Sequence, residues 1–220
     1  MSDRLAVVGD VHGDARRLEL MLAALRDRGG VQIYVGDYVD RGPASADVFD
    51  LLLDAVDNPA GVMVFLAGNH ESELVNYIET GDFVRYAGVG GMATIRSYVG
   101  QARGNVHRQF LESFPRQHEA LLRSFGSHYE SDELLVSHAG FDPNSPTVRN
   151  RQTMVDGRFP ELLTDDFSSL PRTKVVFGHY VQRDGHPFVR GGLYGIDTGC
   201  GTIAGPLTAL LLPELEFVQV

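Results

Sequence analysis

Cysteine is nearly absent from the sequence, which has 220 residues and a single cysteine, Cys200. One cysteine excludes an intrachain disulfide and fits a reducing compartment, so a small buried thiol is the favoured interpretation. Long apolar runs are also missing, because no stretch reaches the ~18 residues of a membrane span. The short polar start before the apolar segment at residues 5–8 leaves no room for a signal peptide. We therefore expect a cytoplasmic protein without a membrane partner.

Basic residues are in the minority. The sequence has 19 Lys and Arg against 29 Asp and Glu, which gives a formal net charge of −10. A nucleic-acid binder usually carries a basic cluster, so duplex DNA or RNA is not an expected partner. An acidic protein also repels anionic phosphate, and a phosphoester site would therefore need local cations such as metal ions. Repeats and low-complexity tracts are absent as well, and the hydrophobic content of 43% predicts one domain over residues 1–220.

Apolar and amphipathic segments alternate through the first third of the chain. The apolar runs predict strands at residues 5–8, 31–35 and 62–66, with helices at 14–28 and 44–56 between them. This β-α-β-α-β order predicts parallel strands packed against helices. In such sheets, ligand sites lie beyond the carboxyl ends of the strands.

The pattern changes at about residue 80. Residues 80–125 have weak periodicity and are interpreted as a helical cap insertion over the site. Short strand candidates follow, typical of a second, mixed sheet, at residues 134–137, 174–177, 193–196, 207–212 and 216–220. The expected fold class is α/β, with a central β-sandwich of two mixed sheets flanked by helices and a helical cap over the metal site.

Most of the Asp, Asn and His residues that could carry chemistry follow predicted strands. They lie in five short segments: GDVHG at 9–13, GDYVDRG at 36–42, GNHE at 68–71, HAG at 138–140 and GH at 178–179. Any one of these is commonly a turn or a hydrogen-bonded core histidine. Five in order, each at a strand end, indicate a functional site. Asp10 and His12 are two residues apart, so their side chains lie on the same side of an extended segment and can share one metal.

These motifs resemble the signature of the calcineurin-like metallophosphoesterases, particularly the serine/threonine phosphoprotein phosphatase branch. The segments IDTGC at 196–200 and LTAL at 207–210 extend the resemblance over most of the chain. The resemblance implies two divalent transition-metal ions, with manganese favoured over iron or zinc, since oxygen and nitrogen donors without thiolates suit these metals. The implied ligands are Asp10 and His12 for the first metal, Asp37 bridging both, and Asn69, His138 and His179 for the second.

The resemblance also implies a mechanism, in which a hydroxide that bridges the metals attacks phosphorus in line. His70 would protonate the leaving alkoxide, with Asp40 orienting its ring. Arg41 would bind the phosphoryl oxygens through its planar guanidinium. Glu71 is interpreted instead as a charge in the first turn of a helix, where the helix dipole favours it.

Two features depart from the family pattern. Ala67 stands where many members carry Arg, two residues before the metal-binding Asn, which removes a cation near the site. A second phosphate-binding Arg is expected between the last two histidine ligands, and the candidates are Arg149, Arg151, Arg158 and Arg172. Arg158 is preferred because VDGRF at 155–159 resembles a family segment with Trp in place of Asp156. The missing Trp suggests a different pocket wall.

The expected function is metal-dependent hydrolysis of phosphate monoesters, most consistent with a serine/threonine protein phosphatase acting on a phosphorylated protein or a small phosphoester. Residues 40–41 together with 69–71 favour that branch. One alternative is a dinucleoside polyphosphate hydrolase acting on diadenosine tetraphosphate, a branch with similar size, a Gly-Pro pair like the one at 42–43 and the HAG segment. Another is a non-catalytic binding module, against which the intact ligand set and His70 argue. The sequence leaves the oligomeric state open.

Overall fold

The computed structural model describes residues 4–101, 103–167 and 174–220. Its first sheet has the strand order β10-β9-β1-β2-β3. The bounds are β1 Leu5–Val8, β2 Val31–Tyr34, β3 Val62–Phe65, β9 Thr208–Leu212 and β10 Glu216–Gln219. β1, β2 and β3 are parallel, and β9 and β10 continue the sheet antiparallel. The carboxyl ends of the three parallel strands therefore meet at one edge, as the β-α-β-α-β order predicts.

The second sheet has the order β4-β5-β6-β8-β7. Its strands are β4 His128–Glu130, β5 Leu134–Ser137, β6 Lys174–Phe177, β7 Phe188–Arg190 and β8 Leu193–Gly195. The three central strands are parallel and the two outer ones antiparallel. Both sheets are mixed, which confirms the predicted fold class. The three-residue edge strands β4 and β7 are additions that the sequence pattern did not predict.

The core between the sheets follows from the alternation of side chains along each strand. In β1, Val7 packs between the two sheets, whereas Ala6 and Val8 face the helices on the outer side. In β5, Val136 packs between the sheets and Leu135 faces outward. All these positions are apolar because every central strand is covered on both faces, which is why they read as continuous apolar runs.

Helices α1 (Ala15–Leu25) and α2 (Ser45–Asp57) cover the outer face of the first sheet. The side chain of Asp14 accepts a hydrogen bond from the Arg17 N–H at 3.0 Å and caps α1. Leu18 lies on the buried face of that helix, as its spacing predicts. Both predicted helices are confirmed, although α1 ends three residues earlier than expected. Across the described ranges, no helix is long and apolar enough to cross a membrane.

Residues 80–125, predicted as a helical cap, do form helices. The helices after β3 are α3 Asn69–Thr80, α4 Phe83–Gly88, α5 Met92–Val99, α6 Val106–Ser113 and α7 Arg116–Ser124. α5 and α7 pack on α2, and α4 packs on α3. An aromatic cluster joins them, with Tyr98 and Phe110 at a ring distance of 5.6 Å. This helical segment approaches the site from the α2 side, beside the loop after β2.

Two short helices cover the outer face of the second sheet. They are α8 (Arg151–Asp156) and a 3₁₀ helix at Pro160–Leu163. Met154 and Leu162 are buried against Phe141 and Phe177. Three residues, 157–159, connect the two short helices and pass close to the carboxyl ends of β5 and β6. Arg158 lies in this connection.

Candidate metal centre and active site

Each candidate metal-binding segment begins where a strand ends. In the first sheet, Asp10 and His12 follow β1, and Asp37 follows β2. Asn69, at the start of α3, follows β3. In the second sheet, His138 follows β5 and His179 follows β6. The two sheets therefore bring all six predicted ligands to the same end of the sandwich.

The donor atoms converge around the Asp37 carboxylate. Its Oδ2 lies 3.3 Å from His138 Nε2 and 3.6 Å from His12 Nε2. The Asn69 Oδ1 lies 3.1 Å from the same His138 nitrogen and 3.0 Å from His179 Nδ1. Nitrogen and oxygen atoms from five separate strand ends therefore point at a common space.

Asp10 completes this cluster, because one of its carboxylate oxygens lies within 4.8 Å of one ligand atom each of Asp37 and His138. The His179 N–H donates to Asp10 Oδ2 at 3.1 Å, while Asp10 Oδ1 is buried without a hydrogen-bond partner among the described residues. A buried carboxylate oxygen without a donor is costly unless a cation neutralises it. Gly178 permits this approach, since a Cβ there would overlap Asp10 Oδ1.

The orientation of His12 also suits a metal. Its Nδ1 lies 3.1 Å from the Val39 carbonyl, which can only accept, so Nδ1 carries the proton and Nε2 presents its lone pair to the site. Metal-ligating histidines usually have one nitrogen fixed in this way. The donor set of carboxylates, imidazoles and one amide oxygen therefore fits two divalent ions, and its chemistry does not specify which metal.

Charge in the cluster is unbalanced toward the negative. Burial and the neighbouring Asp197 carboxylate raise the pKa of Asp10 well above its usual range. Burial opposes the charge on Asp37 too, but His138 and His70 hold its pKa well below the usual range. Burial also acts against a charged His138, yet Asp37 and Asp10 raise its pKa to about 10. The protein alone thus draws a proton onto His138, and a bound cation would take over that positive charge and release the proton.

Two other histidines are held neutral. Burial lowers the pKa of both His12 and His179 to about 3. Neutral imidazole is the form that binds metals, so these two side chains need no deprotonation at neutral pH.

The backbone at the site adopts unusual conformations. Of the seven non-glycine residues with positive φ in the described part of the chain, five lie in the site motifs, namely His12, Asp37, Asp40, Arg41 and His179. Left-handed backbone is unfavourable for residues with a Cβ, and such residues cluster at functional sites where neighbouring contacts hold them. The contacts that hold them here involve two buried carboxylates, Glu71 and Asp40.

Glu71 fixes the loop that carries Asp37. Its Oε2 accepts N–H groups from Asp37 at 2.7 Å and Gly68 at 2.9 Å, and its Oε1 accepts from Tyr38 at 2.8 Å and Val39 at 3.3 Å. The side chain is 1% exposed. The interpretation of Glu71 as a charge at a helix start is therefore incomplete. Its main contacts are with the preceding loop, 32–34 residues away in sequence.

His70 and Asp40 form a buried pair. His70 Nδ1 donates to Asp40 Oδ2 at 2.7 Å, which leaves Nε2 facing the site, 3.9 Å from Asp37 Oδ2. Burial opposes protonation of His70, but the Asp37 and Asp40 carboxylates raise its pKa above the usual value. The Asp40 Oδ1 accepts hydroxyl protons from Tyr86 at 2.7 Å and Thr94 at 2.6 Å. This arrangement can hold a protonated imidazole with Nε2–H directed at the site.

Two arginines line the cleft at the mouth of the metal centre. The cleft has a volume of about 380 Å³, and its walls include Arg41, Arg158, Pro160, Tyr180 and Val181 together with four of the predicted ligands. Arg41 Nη1 lies 3.4 Å from His12 Nε2. Both guanidinium groups are exposed, so they can reach an anionic substrate.

The other candidates for the second arginine are placed differently. Arg149 forms an ion pair with Glu130 at 2.9 Å. Arg151 donates to the Phe125 carbonyl at 3.3 Å and lines a different pocket, beside Ser72 and Val75. Arg172 lies outside the described residues. Among the candidates in the described part of the chain, Arg158 is the one that lines the cleft.

Sequence reasoning missed several supporting residues. Tyr86 and Thr94 belong to helices of weak periodicity, and a single hydroxyl in such a segment carries no recognisable signal. Tyr180, directly after His179, gave none either. Glu71 was visible as the fourth residue of GNHE, and its position one turn from Gly68 could have indicated a capping role.

The fold of two mixed sheets and the Asp/His cluster at their shared edge define a phosphoesterase with groups suited to a dinuclear metal site. Residues 3–197 match the calcineurin-like phosphoesterase family, and the chain belongs to that family.

Several known proteins are similar to this chain. A bis(5'-nucleosyl)-tetraphosphatase (asymmetrical) of Oceanobacillus iheyensis is 25% identical over 99% of this chain and 92% of its own length. Serine/threonine-protein phosphatase 2 of Escherichia coli is 39% identical, but over 39% of this chain and 37% of its own. The crystal structure of a candidate diadenosine tetraphosphatase has a TM-score of 0.66, at 20% identity, and covers 100% of this chain and 94% of that one. That structural likeness shows the fold alone.

Replacing Glu71 with Gln is expected to destabilise the protein and weaken metal binding. An amide keeps one acceptor oxygen, so two of the four buried N–H groups lose their partner, at a cost of roughly 2 kcal/mol or more. Urea unfolding and metal titration would measure the two effects. Glu73→Gln, on the same helix, is the matched control, because Glu73 pairs with the exposed Arg85 and should matter less. Equal losses in the two variants would contradict the role given to Glu71.

Removal of metal is expected to abolish phosphatase activity. Treatment with a chelator followed by dialysis should give inactive protein, and Mn²⁺ should restore turnover of p-nitrophenyl phosphate together with about two bound ions per chain. Mass spectrometric metal analysis alongside the assay would measure both quantities. Full activity in protein with far less than one equivalent of metal would refute a metal-dependent site.

Proposed function

We propose that this chain is a metal-dependent hydrolase of dinucleoside polyphosphates that cleaves substrates such as diadenosine tetraphosphate asymmetrically. The convergence of six oxygen and nitrogen donors at one end of the sandwich carries the hydrolytic part of the proposal. The substrate class is supported by the similarity to asymmetrical bis(5'-nucleosyl)-tetraphosphatases over nearly the whole of both chains. This is the alternative that the sequence motifs alone ranked second.

The proposed metal ligands are Asp10, His12, Asp37, Asn69, His138 and His179, with manganese as the first metal to test. Two divalent ions, when bound there, activate a water for in-line attack and stabilise the charge on the reacting oxygens. The protein contributes the fixed orientation of these ligands. Asp37 is the bridging candidate because its carboxylate lies between His12 from the β1 loop and His138 from the β5 loop.

His70 is the proposed general acid. Its Nδ1–H donates a hydrogen bond to Asp40. The proton available for transfer is therefore the one on Nε2, which faces the site. The Asp40 carboxylate stabilises the imidazolium while Tyr86 and Thr94 hold that carboxylate in place. Transfer of the Nε2 proton to the departing oxygen would neutralise the negative charge that develops on that oxygen as the phosphorus–oxygen bond breaks.

Arg41 and Arg158 are the proposed phosphate-binding residues. They line the same cleft, and each can donate two parallel hydrogen bonds to phosphoryl oxygens. A polyphosphate chain carries several negative charges, and the net charge of −10 on the protein would otherwise repel it. Pro160 and Val181 line the same cleft as Arg158, and their apolar atoms are the proposed contacts of the leaving group.

A serine/threonine protein phosphatase is the second candidate function. The observation that favours it is the stretch of 87 residues with 39% identity to Escherichia coli serine/threonine-protein phosphatase 2. The motifs at residues 40–41 and 69–71 are consistent with it. The limited coverage of that likeness is the reason for placing it second.

The substrate proposal predicts a higher kcat/KM for diadenosine tetraphosphate than for phosphoserine or phosphothreonine peptides. Metal-reconstituted protein should convert the dinucleotide to ATP and AMP, because asymmetrical cleavage separates one phosphate from three. Chromatography of the products, with phosphate release from matched phosphopeptides assayed in parallel, would test this. Preference for the peptides, or two ADP molecules as product, would overturn the proposed specificity and leave the metal chemistry intact.

The acid role of His70 predicts a dependence on the leaving group. His70→Asn should retain both metals and lower kcat for phenyl phosphate by roughly 10²–10⁴-fold, because phenolate leaves poorly without a proton. The defect on p-nitrophenyl phosphate should be smaller, since its leaving group needs little protonation. Asp40→Asn should show the same pattern in milder form. Loss of one metal equivalent with equal impairment on both esters would identify His70 as a ligand instead.

A further inference from the structure

The hydroxyl of Tyr180 contacts the backbone on both sides of Arg158. It accepts a hydrogen bond from the Phe159 N–H at 2.7 Å. The same oxygen lies 3.5 Å from the Gly157 carbonyl, toward which the hydroxyl proton can point. The two residues on either side of Arg158 therefore both contact the hydroxyl oxygen of Tyr180.

The ring of Tyr180 is itself fixed by the metal-binding loop. It follows His179 directly and packs edge-on against that imidazole at 4.9 Å and against Phe177 at 5.7 Å. The hydroxyl also lies 3.4 Å from the carbonyl of Ala139, the residue after His138. The tyrosine thus joins the loops of two candidate metal ligands to the segment 157–159.

The Arg158 side chain has few contacts of its own. Among the described residues, none forms an ion pair or a hydrogen bond with its guanidinium, in contrast to Arg149, which Glu130 holds at 2.9 Å. The direction in which Arg158 projects is consequently set by the backbone that carries it. Segment 157–159 lies between α8 and the 3₁₀ helix, and the Tyr180 hydroxyl contacts the backbone at both of its ends.

We propose that Tyr180 is a positioning residue that holds segment 157–159 so that Arg158 faces the phosphate-binding cleft. The proposal rests on the proposed function in one respect, namely that Arg158 binds a phosphoryl group. Tyr180 acts through that arginine and not on phosphorus. Loss of its hydroxyl should therefore weaken binding of any phosphate group, irrespective of what the phosphate is attached to.

The test is Tyr180→Phe in the full-length, metal-reconstituted protein. This variant keeps the ring contacts and removes the acceptor for the Phe159 N–H. The Kd for inorganic phosphate, measured by calorimetry, and the KM for p-nitrophenyl phosphate should both rise about 3- to 10-fold, the range expected for one lost hydrogen bond. The kcat should change by less than about twofold, because an interaction made equally in ground state and transition state affects KM alone.

A double-mutant cycle with Arg158→Ala separates positioning from a general structural effect. If Tyr180 acts through Arg158, adding Tyr180→Phe to the Arg158→Ala variant should change the phosphate Kd by less than about twofold. Arg158 is exposed, so its truncation is not expected to affect folding. A Tyr180→Phe effect of the same size with and without Arg158 would overturn the proposal, as would an unchanged Kd in the single variant.

Tyr98→Phe is the matched control. Its hydroxyl is also hydrogen-bonded, to His118 Nδ1 at 2.9 Å, but it lies in the helical segment away from the cleft, so the phosphate Kd should stay at the wild-type value. The probes are inorganic phosphate and p-nitrophenyl phosphate. A failure to cleave diadenosine tetraphosphate would therefore overturn the proposed substrate without affecting this result.

Discussion

The buried carboxylate of Glu71 holds together the two loops of the first sheet that carry the candidate ligands Asp37 and Asn69. The loop after β2 turns sharply through left-handed residues, so its N–H groups have no strand or helix to pair with. Glu71 accepts the hydrogen bonds of Asp37 and Tyr38 and that of Gly68 on its own loop. The position of Asp37, and hence of the histidines around it, depends on this contact between consecutive βα loops.

Charge is arranged in two layers at the site. The interior contains the buried carboxylates of Asp10, Asp37 and Asp197, of which Asp197 has its pKa raised by burial to about 6. This interior suits cations. The mouth of the cleft carries the guanidinium groups of Arg41 and Arg158 and suits phosphate. An acidic protein with this arrangement could bind an anion, because the two guanidinium groups and any cation held by the interior carboxylates would lie between the anion and the negative charge of the protein.

The strands of the first sheet and the six candidate ligands could be predicted because buried parallel strands are short apolar runs, and the chemistry follows directly at their ends. The supports of the site could not. Thr94 and Tyr86 reach Asp40 from helices that the sequence pattern defines poorly, and Tyr180 acts through a backbone N–H, which any residue provides. The motifs at residues 40–41 and 69–71 favour the serine/threonine phosphatase branch, so they do not by themselves predict the substrate class proposed above. The proposed dinucleotide substrate depends instead on the similarity to bis(5'-nucleosyl)-tetraphosphatases over nearly the whole chain.

The hydrogen bonds to Asp40 connect His70 to a different part of the fold from the candidate metal ligands. All six candidate ligands follow strands, whereas two of the three side-chain hydrogen bonds to the Asp40 carboxylate come from α4 and α5. Proteins open locally in cooperative units of unequal stability. A transient opening of the helical segment would therefore remove two of the contacts that hold the Asp40 carboxylate beside His70, while the candidate ligands at the strand ends keep their positions. Amide exchange in α4 and α5 would report how often the Asp40 carboxylate loses these two hydrogen bonds.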